Sequence, residues 1–262
     1  MSKQLLIYKN VVPVNKAKHG NVTIKNSGDY SFARSVNSVP LTAVEFPHAA
    51  EELAIVFAGE GPSVSPVVIM GVKPEENLFI SNEGRSEIRY LPAFLRRYPF
   101  VFSTADEGEN FTLCIDEDYP GLNQEGSGER LFDSDGEQTQ YLDGVLNFLK
   151  EYQAHFTRTQ QFCKKLVELE LLQPMSAEIQ SASGESVRLT GFQVINREKL
   201  QKLPGNTLAE LSVTGELELA YIHLQSLRNL NALPLQKSEA TTQASQTSQT
   251  SQATEQPEAE PA

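Results

Sequence analysis

The sequence contains no tryptophan and only two cysteines, Cys114 and Cys163. So small a number does not fit the disulfide framework of a small secreted protein. Each cysteine stands in an apolar pattern, where a free thiol behaves as a small core residue. We therefore expect two buried thiols in a reducing compartment, with a single bridge between them as the alternative.

The sequence also lacks a long apolar run, since none approaches the roughly 20 residues that a membrane-spanning helix needs. The N-terminal stretch has only a short apolar patch, Leu5 to Tyr8. It has no small-residue cleavage site of the kind that follows a secretory signal peptide. From these absences we expect a cytoplasmic protein without a transmembrane segment.

Basic residues are scarce relative to acidic ones. Lysine and arginine together number 22, against 34 aspartates and glutamates, which gives a formal net charge of −12. A chain this acidic repels the phosphate backbone of nucleic acids. We therefore expect no nucleic-acid partner, although a local basic patch is compatible with this balance.

Sequence motifs that carry catalysis or cofactor binding are missing as well. There is no P-loop, no Gly-x-Gly-x-x-Gly, no Gly-x-Ser-x-Gly and no Cys-x-x-Cys. Segment 133–137 resembles a calcium loop, but Leu131 occupies the first position of that frame and the distal glutamate is missing. The histidines lack the i, i+4 spacing of metal ligands: His19, His48, His155 and His223. We predict no metal and no cofactor, and these absences weigh against an enzyme without excluding one.

The clearest positive signal is a helical pattern from Gln138 to Leu172. Its apolar residues recur mostly every three or four positions, as on one face of an α-helix: Leu142, Val145, Leu146, Leu149, Tyr152, Phe156, Cys163, Leu166 and Val167. Unbroken, this helix would be roughly 50 Å long, so we also consider a break near His155–Thr159. We expect Ser134 or Asp135 to cap it. A second helical pattern, over residues 207–233, contains Gly215, which predicts a kink or a close approach of two backbones.

Short apolar and β-branched runs separated by turn residues predict β-strands. They lie at Leu53–Phe57, Pro66–Met70, Asn77–Ile80, Phe100–Ser103, Phe111–Ile115, Ala177–Ser181 and Val187–Ile195. Because their connections are short, we expect antiparallel pairing. The predicted fold class is α+β, in which a mostly antiparallel sheet from residues 53–115 and 177–195 packs against the long central helix and a C-terminal helix.

The composition changes near the C-terminal end. Residues 236–262 consist mainly of Gln, Ser, Thr and Ala, followed by Glu and Pro, and no large apolar residue follows Leu235. Burial therefore cannot offset the entropy cost of ordering this segment. We predict a single globular domain over residues 1–235 and a disordered low-complexity tail over residues 236–262.

Arginine is concentrated in one stretch of this acidic chain. Four arginines fall within thirteen residues: Arg85, Arg89, Arg96 and Arg97. Guanidinium groups bind oxyanions through paired hydrogen bonds, so this cluster predicts a site for an anion or a carboxylate. The alternative is internal pairing with the acids of segments 106–109 and 116–118. The residues expected to line a ligand site are Glu45, Arg96, Arg97 and Asp116.

Several segments form a pattern when they are taken in order: 40–46 (PLTAVEF), 53–57 (LAIVF), 90–100 (YLPAFLRRYPF), 131–133 (LFD) with Gly136, Phe162-Cys163, 189–192 (LTGF) and 215–227. This series resembles the SapC-like proteins of bacteria, a family named after a component linked to surface-layer formation. Together they span roughly residues 5–235. No single segment is specific, but their order is.

The resemblance implies an accessory role and no agreed catalytic residues. Family members resemble proteins found beside tryptophan-halogenase-like proteins, cupin-like oxygenases and outer-membrane receptors, which implies a link to the surface layer or to outer-membrane uptake. We therefore hold two hypotheses. The first is a non-catalytic binding or accessory protein that recognises protein partners through the acidic segment 104–137 and the arginine cluster. The alternative is an enzyme or binding protein with an arginine-lined pocket for a small anionic ligand.

Overall fold

The computed structural model of the chain describes residues 6–26, 28–104, 111–180 and 186–233. The α-helices in these ranges are α1 (Lys16–His19), α2 (Phe46–Ala49), α3 (Ala93–Arg96), α4 (Gln140–Glu168), α5 (Arg197–Gln201), α6 (Gly205–Val213) and α7 (Glu216–Ser226). The strands are β1 (Val11–Pro13), β2 (Thr23–Ile24), β3 (Ser38–Pro40), β4 (Ala54–Ala58), β5 (Ser65–Ile69), β6 (Phe100–Thr104), β7 (Phe111–Asp116), β8 (Leu122–Asn123), β9 (Glu129–Arg130), β10 (Leu172–Gln180) and β11 (Ser186–Ile195). Short 3-10 helices lie at Ser31–Ala33, Ala43–Glu45, Gly61–Ser63 and Leu227–Ala232.

The described strands pair antiparallel and form three sheets. The largest has the strand order β10-β11-β4-β5-β3, and the two smaller sheets have the orders β1-β7-β6 and β8-β2-β9. These pairings confirm the predicted α+β class and the predicted hairpins of β4 with β5, β6 with β7, and β10 with β11. The strands expected in one sheet are divided, because β6 and β7 join the N-terminal strand β1.

The strand predicted at residues 77–80 is wrong: this segment forms only an isolated bridge between Ile80 and Ser86. The reason is the buried side chain of Asn77. Its carbonyl oxygen accepts a 3.0 Å hydrogen bond from the backbone N–H of Phe79, and its amide donates to the carbonyl of Ala33 at 2.9 Å. Such a local turn competes with strand pairing.

Helix α4 confirms the predicted long helix and runs without interruption for 29 residues, which corresponds to roughly 43 Å. The break considered near His155–Thr159 is absent. Inside the helix, the Thr159 hydroxyl donates to the carbonyl of His155 at 2.7 Å and accepts from the backbone N–H of Ala43 at 2.8 Å. The predicted cap was wrong, because the N-cap is Thr139, whose hydroxyl accepts from the backbone N–H of Leu142.

The two halves of α4 pack into two different hydrophobic clusters. Leu142 and Leu149 belong to a smaller cluster that includes Phe100 of β6 and Ile115 of β7. The second half of the helix contributes to the larger cluster around β4 and β5 through three buried side chains: Phe162, Cys163 and Leu166. Helix α4 therefore joins the two hydrophobic clusters. Burial of each of these large apolar side chains stabilises the fold by about 1.5–3 kcal/mol.

The C-terminal helical pattern is divided at Gly215, which has a φ of +76° and precedes α7. The predicted kink is therefore confirmed as the junction between α6 and α7. Helix α7 packs on β4 and β11 of the large sheet. Both cysteines are free and buried, as predicted.

Among the described residues, no helix is both long enough and apolar enough to cross a membrane. The tail predicted to be disordered, residues 236–262, lies outside the described residues. The single domain over residues 1–235 stays a prediction.

Candidate functional site

A cavity of about 470 Å³ lies where α3, the first half of α4 and the segment after β2 come together. Its lining is rich in aromatic side chains: Tyr30, Phe32, Tyr98, Phe100, Tyr119, Tyr141 and Phe148. In the part of the chain that the structure describes, its charged lining consists of Arg96, Arg97 and Asp29. A concave space lined by aromatic rings and a few charged groups is typical of a ligand site.

One wall of the cavity is a series of aromatic contacts. The rings of Phe32 and Tyr98 are stacked, with centroids 4.1 Å apart and planes inclined by 29°. The ring of Tyr119 meets that of Tyr98 edge to face at 5.5 Å. These rings fix one another in place, because such arrangements are favourable for aromatic pairs.

Arg96 is the last residue of α3, and its side chain is exposed on the cavity side. Its Nε donates to the carbonyl of Leu91 at 3.0 Å, and Nη2 donates to the hydroxyl of Tyr90 at 3.2 Å. The Cζ atom lies 5.5 Å from the ring centroid of Tyr90 and 5.4 Å from that of Phe148. The guanidinium group is therefore held in a defined position over aromatic surface.

Arg97 also lines the cavity, but its side chain belongs to the core. The residue is only 4% exposed. Its Cζ atom lies 4.5 Å from the ring centroid of Phe94, 4.9 Å from that of Tyr152 and 5.7 Å from that of Tyr8. Burial raises the pKa of Tyr8, and the positive charge of Arg97 partly opposes this shift. Arg97 thus supports the cavity from behind and adds positive potential to it.

Glu45 is buried behind α3, and it is absent from the lining described above. Its Oε1 accepts hydrogen bonds from the backbone N–H of Ala93 at 2.7 Å and from the Tyr90 hydroxyl at 2.9 Å. Its Oε2 accepts two more, from the backbone N–H and the hydroxyl of Thr42, both at 2.8 Å. Burial and the Glu45 carboxylate raise the pKa of Tyr90 to about 12, so this phenol stays protonated and donates. Glu45 therefore positions Arg96 through Tyr90.

Asp116, at the end of β7, is fully buried and also stands behind the cavity wall. Its carboxylate accepts from the backbone N–H groups of Lys9 at 2.8 Å, Asn10 at 3.0 Å and Asp118 at 3.1 Å. It also accepts from the hydroxyl of Tyr98 at 3.3 Å. Asp116 thus fixes Tyr98, which follows the two arginines in the chain.

Two tyrosines of the cavity, Tyr98 and Tyr141, have raised pKa values and are therefore neutral hydrogen-bonding groups at physiological pH. Burial raises the pKa of Tyr141 to about 12. Burial, together with the nearby Asp116 carboxylate, also raises the pKa of Tyr98. At the rim, Asp29 accepts from the backbone N–H and the hydroxyl of Ser31, and these hydrogen bonds lower its pKa. The described lining therefore combines two guanidinium groups with the neutral phenols of Tyr98 and Tyr141 and one carboxylate.

The structure thus places the four predicted site residues in two positions. Arg96 and Arg97 line the cavity, whereas Glu45 and Asp116 hold the segment that carries them. The other two arginines of the cluster lie elsewhere: Arg85 is exposed, and the Nε of Arg89 lies 4.0 Å from a carboxylate oxygen of Glu52. The acids of segment 106–109 lie outside the described residues.

Sequence reasoning missed the aromatic lining and the face of α4 that completes it. That face carries four cavity residues at positions i, i+3, i+4 and i+7: Tyr141, Gly144, Val145 and Phe148. This helical spacing is present in the sequence, where the face adjoins the predicted apolar stripe and shares Val145 with it. Tyr98 and Phe100 directly follow the two arginines, whereas Tyr30, Phe32 and Tyr119 come from distant segments to which no local pattern points.

No group of three or more His, Cys, Asp or Glu side chains in the described ranges is arranged to hold a metal ion. Of the histidines, His223 is fully buried on α7, and its Nε2 accepts a 3.1 Å hydrogen bond from the backbone N–H of Ile195. It packs on the ring of Phe57, with centroids 4.9 Å apart. This histidine is part of the core, away from the cavity lining.

The fold and the site together define an α+β protein with an aromatic cavity in which buried carboxylates position arginine side chains. The chain belongs to the SapC family, whose match covers residues 14–233 and therefore nearly all of the described structure. No curated protein and no solved structure matches the chain.

Proposed function

We propose that this SapC-family chain is a non-catalytic accessory protein that binds a small anionic molecule in the aromatic cavity. The observation that carries this proposal is that only some of the N–H donors of Arg96 are engaged in hydrogen bonds. A guanidinium group has five N–H donors, and Leu91 and Tyr90 engage one donor each. Within the described part of the chain, no carboxylate forms an ion pair with Arg96. Donors on its two Nη atoms are thus left for a ligand.

The surroundings of Arg96 favour an anion over a neutral ligand. The group lies over two aromatic rings, and Arg97 adds a second positive charge to the lining. Charge-assisted hydrogen bonds from a guanidinium to a carboxylate are stronger than neutral ones, and the planar group presents two parallel N–H donors. The apolar rings would bury the rest of the ligand. A carboxylate attached to an apolar body fits both features.

An accessory role rests on the family and on the segments that resemble SapC-like proteins. We infer a link to a bacterial surface layer or to outer-membrane uptake, with a protein partner. Two exposed apolar side chains on the C-terminal helices, Val213 on α6 and Tyr221 on α7, support a contact with such a partner. The test is a crosslinking pull-down from the native host with the wild-type chain and with Val213→Asp. A partner captured equally by both forms would contradict this contact.

The ligand proposal is tested by calorimetric titration with two acids and the two neutral alcohols of the same carbon skeletons. The acids are cyclohexanecarboxylate and 2-naphthoate, and the alcohols are cyclohexylmethanol and 2-naphthylmethanol. We expect at least one acid to bind the wild-type protein more tightly than its alcohol. Arg96→Gln should weaken binding of that acid by about tenfold or more, since a hydrogen bond between charged groups is lost, and should leave the alcohol unaffected.

The matched control is Arg89→Gln, because Arg89 belongs to the same sequence cluster but is exposed and is absent from the cavity lining. This variant should bind the acid as the wild type does. If neither acid binds, or if both arginine variants weaken the binding equally, the proposed function is wrong.

A further inference from the structure

Helix α4 presents a glycine to the cavity at the centre of its cavity face. Gly144 lies three residues after Tyr141 and four residues before Phe148, and all three line the cavity. Side chains at this spacing lie on the same face of a helix, about one turn apart. Gly144 therefore leaves a gap between two aromatic side chains that are roughly 10 Å apart along the helix axis.

The packing of the protein does not require a glycine at position 144. A Cβ atom added there would have no atom within 4 Å, and the backbone has no positive φ at this position. Elsewhere the reason for a glycine is evident: a Cβ at Gly121 or Gly128 would collide with the backbone of the strand β2 region. Glycine is also one of the poorest residues in a helix interior. The chain thus has a destabilising residue where alanine would fit.

The gap lies beside the arginine that carries the proposed function. The Cζ atom of Arg96 is 5.4 Å from the ring centroid of Phe148, at one end of the gap. The cavity lining also includes the stacked rings of Phe32 and Tyr98. A flat ring in this space would meet aromatic faces and edges, which are favourable contacts for another aromatic ring.

From this arrangement we infer that Gly144 determines the ligand class, because it makes room for a flat aromatic ring whose carboxylate is bound by Arg96. This inference rests on the proposed function and narrows it from small anions to planar aromatic carboxylates. An aliphatic acid would gain from burial and from Arg96, but it would not need a flat space between Tyr141 and Phe148.

The experiment compares wild type, Gly144→Ala, Gly144→Leu and Gly205→Ala with 2-naphthoate and cyclohexanecarboxylate. Gly205 is a matched control, since it is also a helical glycine at which a Cβ would meet open space, and it lies outside the cavity lining. Affinity is measured by calorimetric titration. Naphthalene fluorescence provides a second readout, because the chain has no tryptophan. Thermal unfolding of each variant is measured in parallel.

We expect the wild type to bind 2-naphthoate several-fold more tightly than cyclohexanecarboxylate. Gly144→Ala should weaken 2-naphthoate binding by about tenfold and raise Tm by about 2–4 °C. Gly144→Leu should abolish binding without lowering Tm, and Gly205→Ala should leave the affinity unchanged. Higher stability combined with weaker binding is a result that a merely structural glycine would not give.

The outcomes separate this inference from the proposed function. If both acids bind equally well through Arg96 and Gly144→Ala changes neither affinity, the inference about Gly144 is wrong and the anion-binding proposal stands. If Gly144→Ala lowers Tm, the glycine serves the fold and the inference is also wrong. If neither acid binds the wild type, the proposed function is wrong, and this inference is wrong with it.

Discussion

Arg96 and Arg97 are neighbours in the chain, but Arg96 is exposed at the cavity, whereas Arg97 is packed within 6 Å of the ring centroids of Tyr8, Phe94 and Tyr152. Consecutive residues at the end of a helix point in directions about 100° apart, so the two side chains enter different environments. Arg96 and Arg97 therefore have different roles. One presents hydrogen-bond donors, and the other holds the segment in place.

This division predicts that substitutions at Arg97 destabilise the protein, whereas a substitution at Arg96 does not. Arg97→Ala should lower the free energy of unfolding by about 2–4 kcal/mol, because it removes a desolvated cation from aromatic faces and leaves a cavity in the core. Arg97→Lys should also be destabilising, since a lysine does not stack as a planar guanidinium does. Urea unfolding followed by circular dichroism measures both.

The matched control for these two variants is Arg96→Ala, which should change the stability by no more than about 0.5 kcal/mol, as is usual for an exposed site. Equal destabilisation by Arg96→Ala and Arg97→Ala would show that the structural role is not confined to Arg97.

A second prediction concerns Glu45, whose carboxylate accepts four hydrogen bonds in the interior. Glu45→Ala would leave the buried N–H groups of Thr42 and Ala93 without an acceptor, and each unsatisfied group costs about 1–3 kcal/mol. We expect a loss of several kcal/mol in the free energy of unfolding, measured in urea. The exposed Glu51→Ala is the control and should be close to neutral. A stable Glu45→Ala protein would show that Glu45 does not anchor α3.

Elements with a strong periodic pattern could be predicted from the sequence. The stripe of α4 includes Leu142, Leu149 and Leu166, all of them buried, and the apolar runs of β4 and β5 pair as expected. Such patterns report burial directly, because the helical period or the β-branched content decides which residues meet the core. The strand predicted at residues 77–80 does not form, because one side chain outweighs the apolar pattern. The side chain of Asn77 accepts a hydrogen bond from the nearby backbone and holds the segment in a turn.

The candidate site was accessible from the sequence only in part. Charge concentration pointed to Arg96 and Arg97, both of which line the cavity. Charge alone could not show that Glu45 and Asp116 are buried acceptors of backbone N–H groups. The aromatic wall depends on contacts between residues far apart in the chain, and tertiary packing of this kind leaves no local pattern.

A third prediction uses two threonines two residues apart on α4. Both donate back to the carbonyl four residues earlier, Thr157 to Gln153 and Thr159 to His155. Thr159 alone also accepts from the backbone N–H of Ala43, at 2.8 Å. Thr159→Val should therefore destabilise by about 1–3 kcal/mol, because that buried N–H loses its acceptor. Thr157→Val makes the same replacement at an exposed position and should be close to neutral. Similar losses of stability in both variants would contradict a role of Thr159 in joining α4 to the 3-10 helix Ala43–Glu45.

The last prediction concerns pH, through the buried His223. Burial lowers its pKa from the ordinary 6.5 to about 4. Its Nε2 accepts from the backbone N–H of Ile195, which requires the neutral ring. Since the unfolded chain binds the proton more readily, the contribution of His223 to stability is complete above pH 6.5 and is lost as the pH falls from 6.5 towards 4. This contribution to the free energy of unfolding is on the order of 3 kcal/mol, at 1.36 kcal/mol per pKa unit.

The measurement is the free energy of unfolding in urea at a series of pH values between 7 and 4. In His223→Gln the side-chain oxygen can accept from Ile195 and does not titrate, so the decline below pH 6.5 should be shallower than in the wild type. His48→Gln is the control, because His48 is exposed and its variant should follow the wild-type slope. Carboxylates also titrate in this range, but they are common to all three proteins and cancel in the differences. Parallel curves for wild type and His223→Gln would show that the histidine is not held neutral by burial against Ile195.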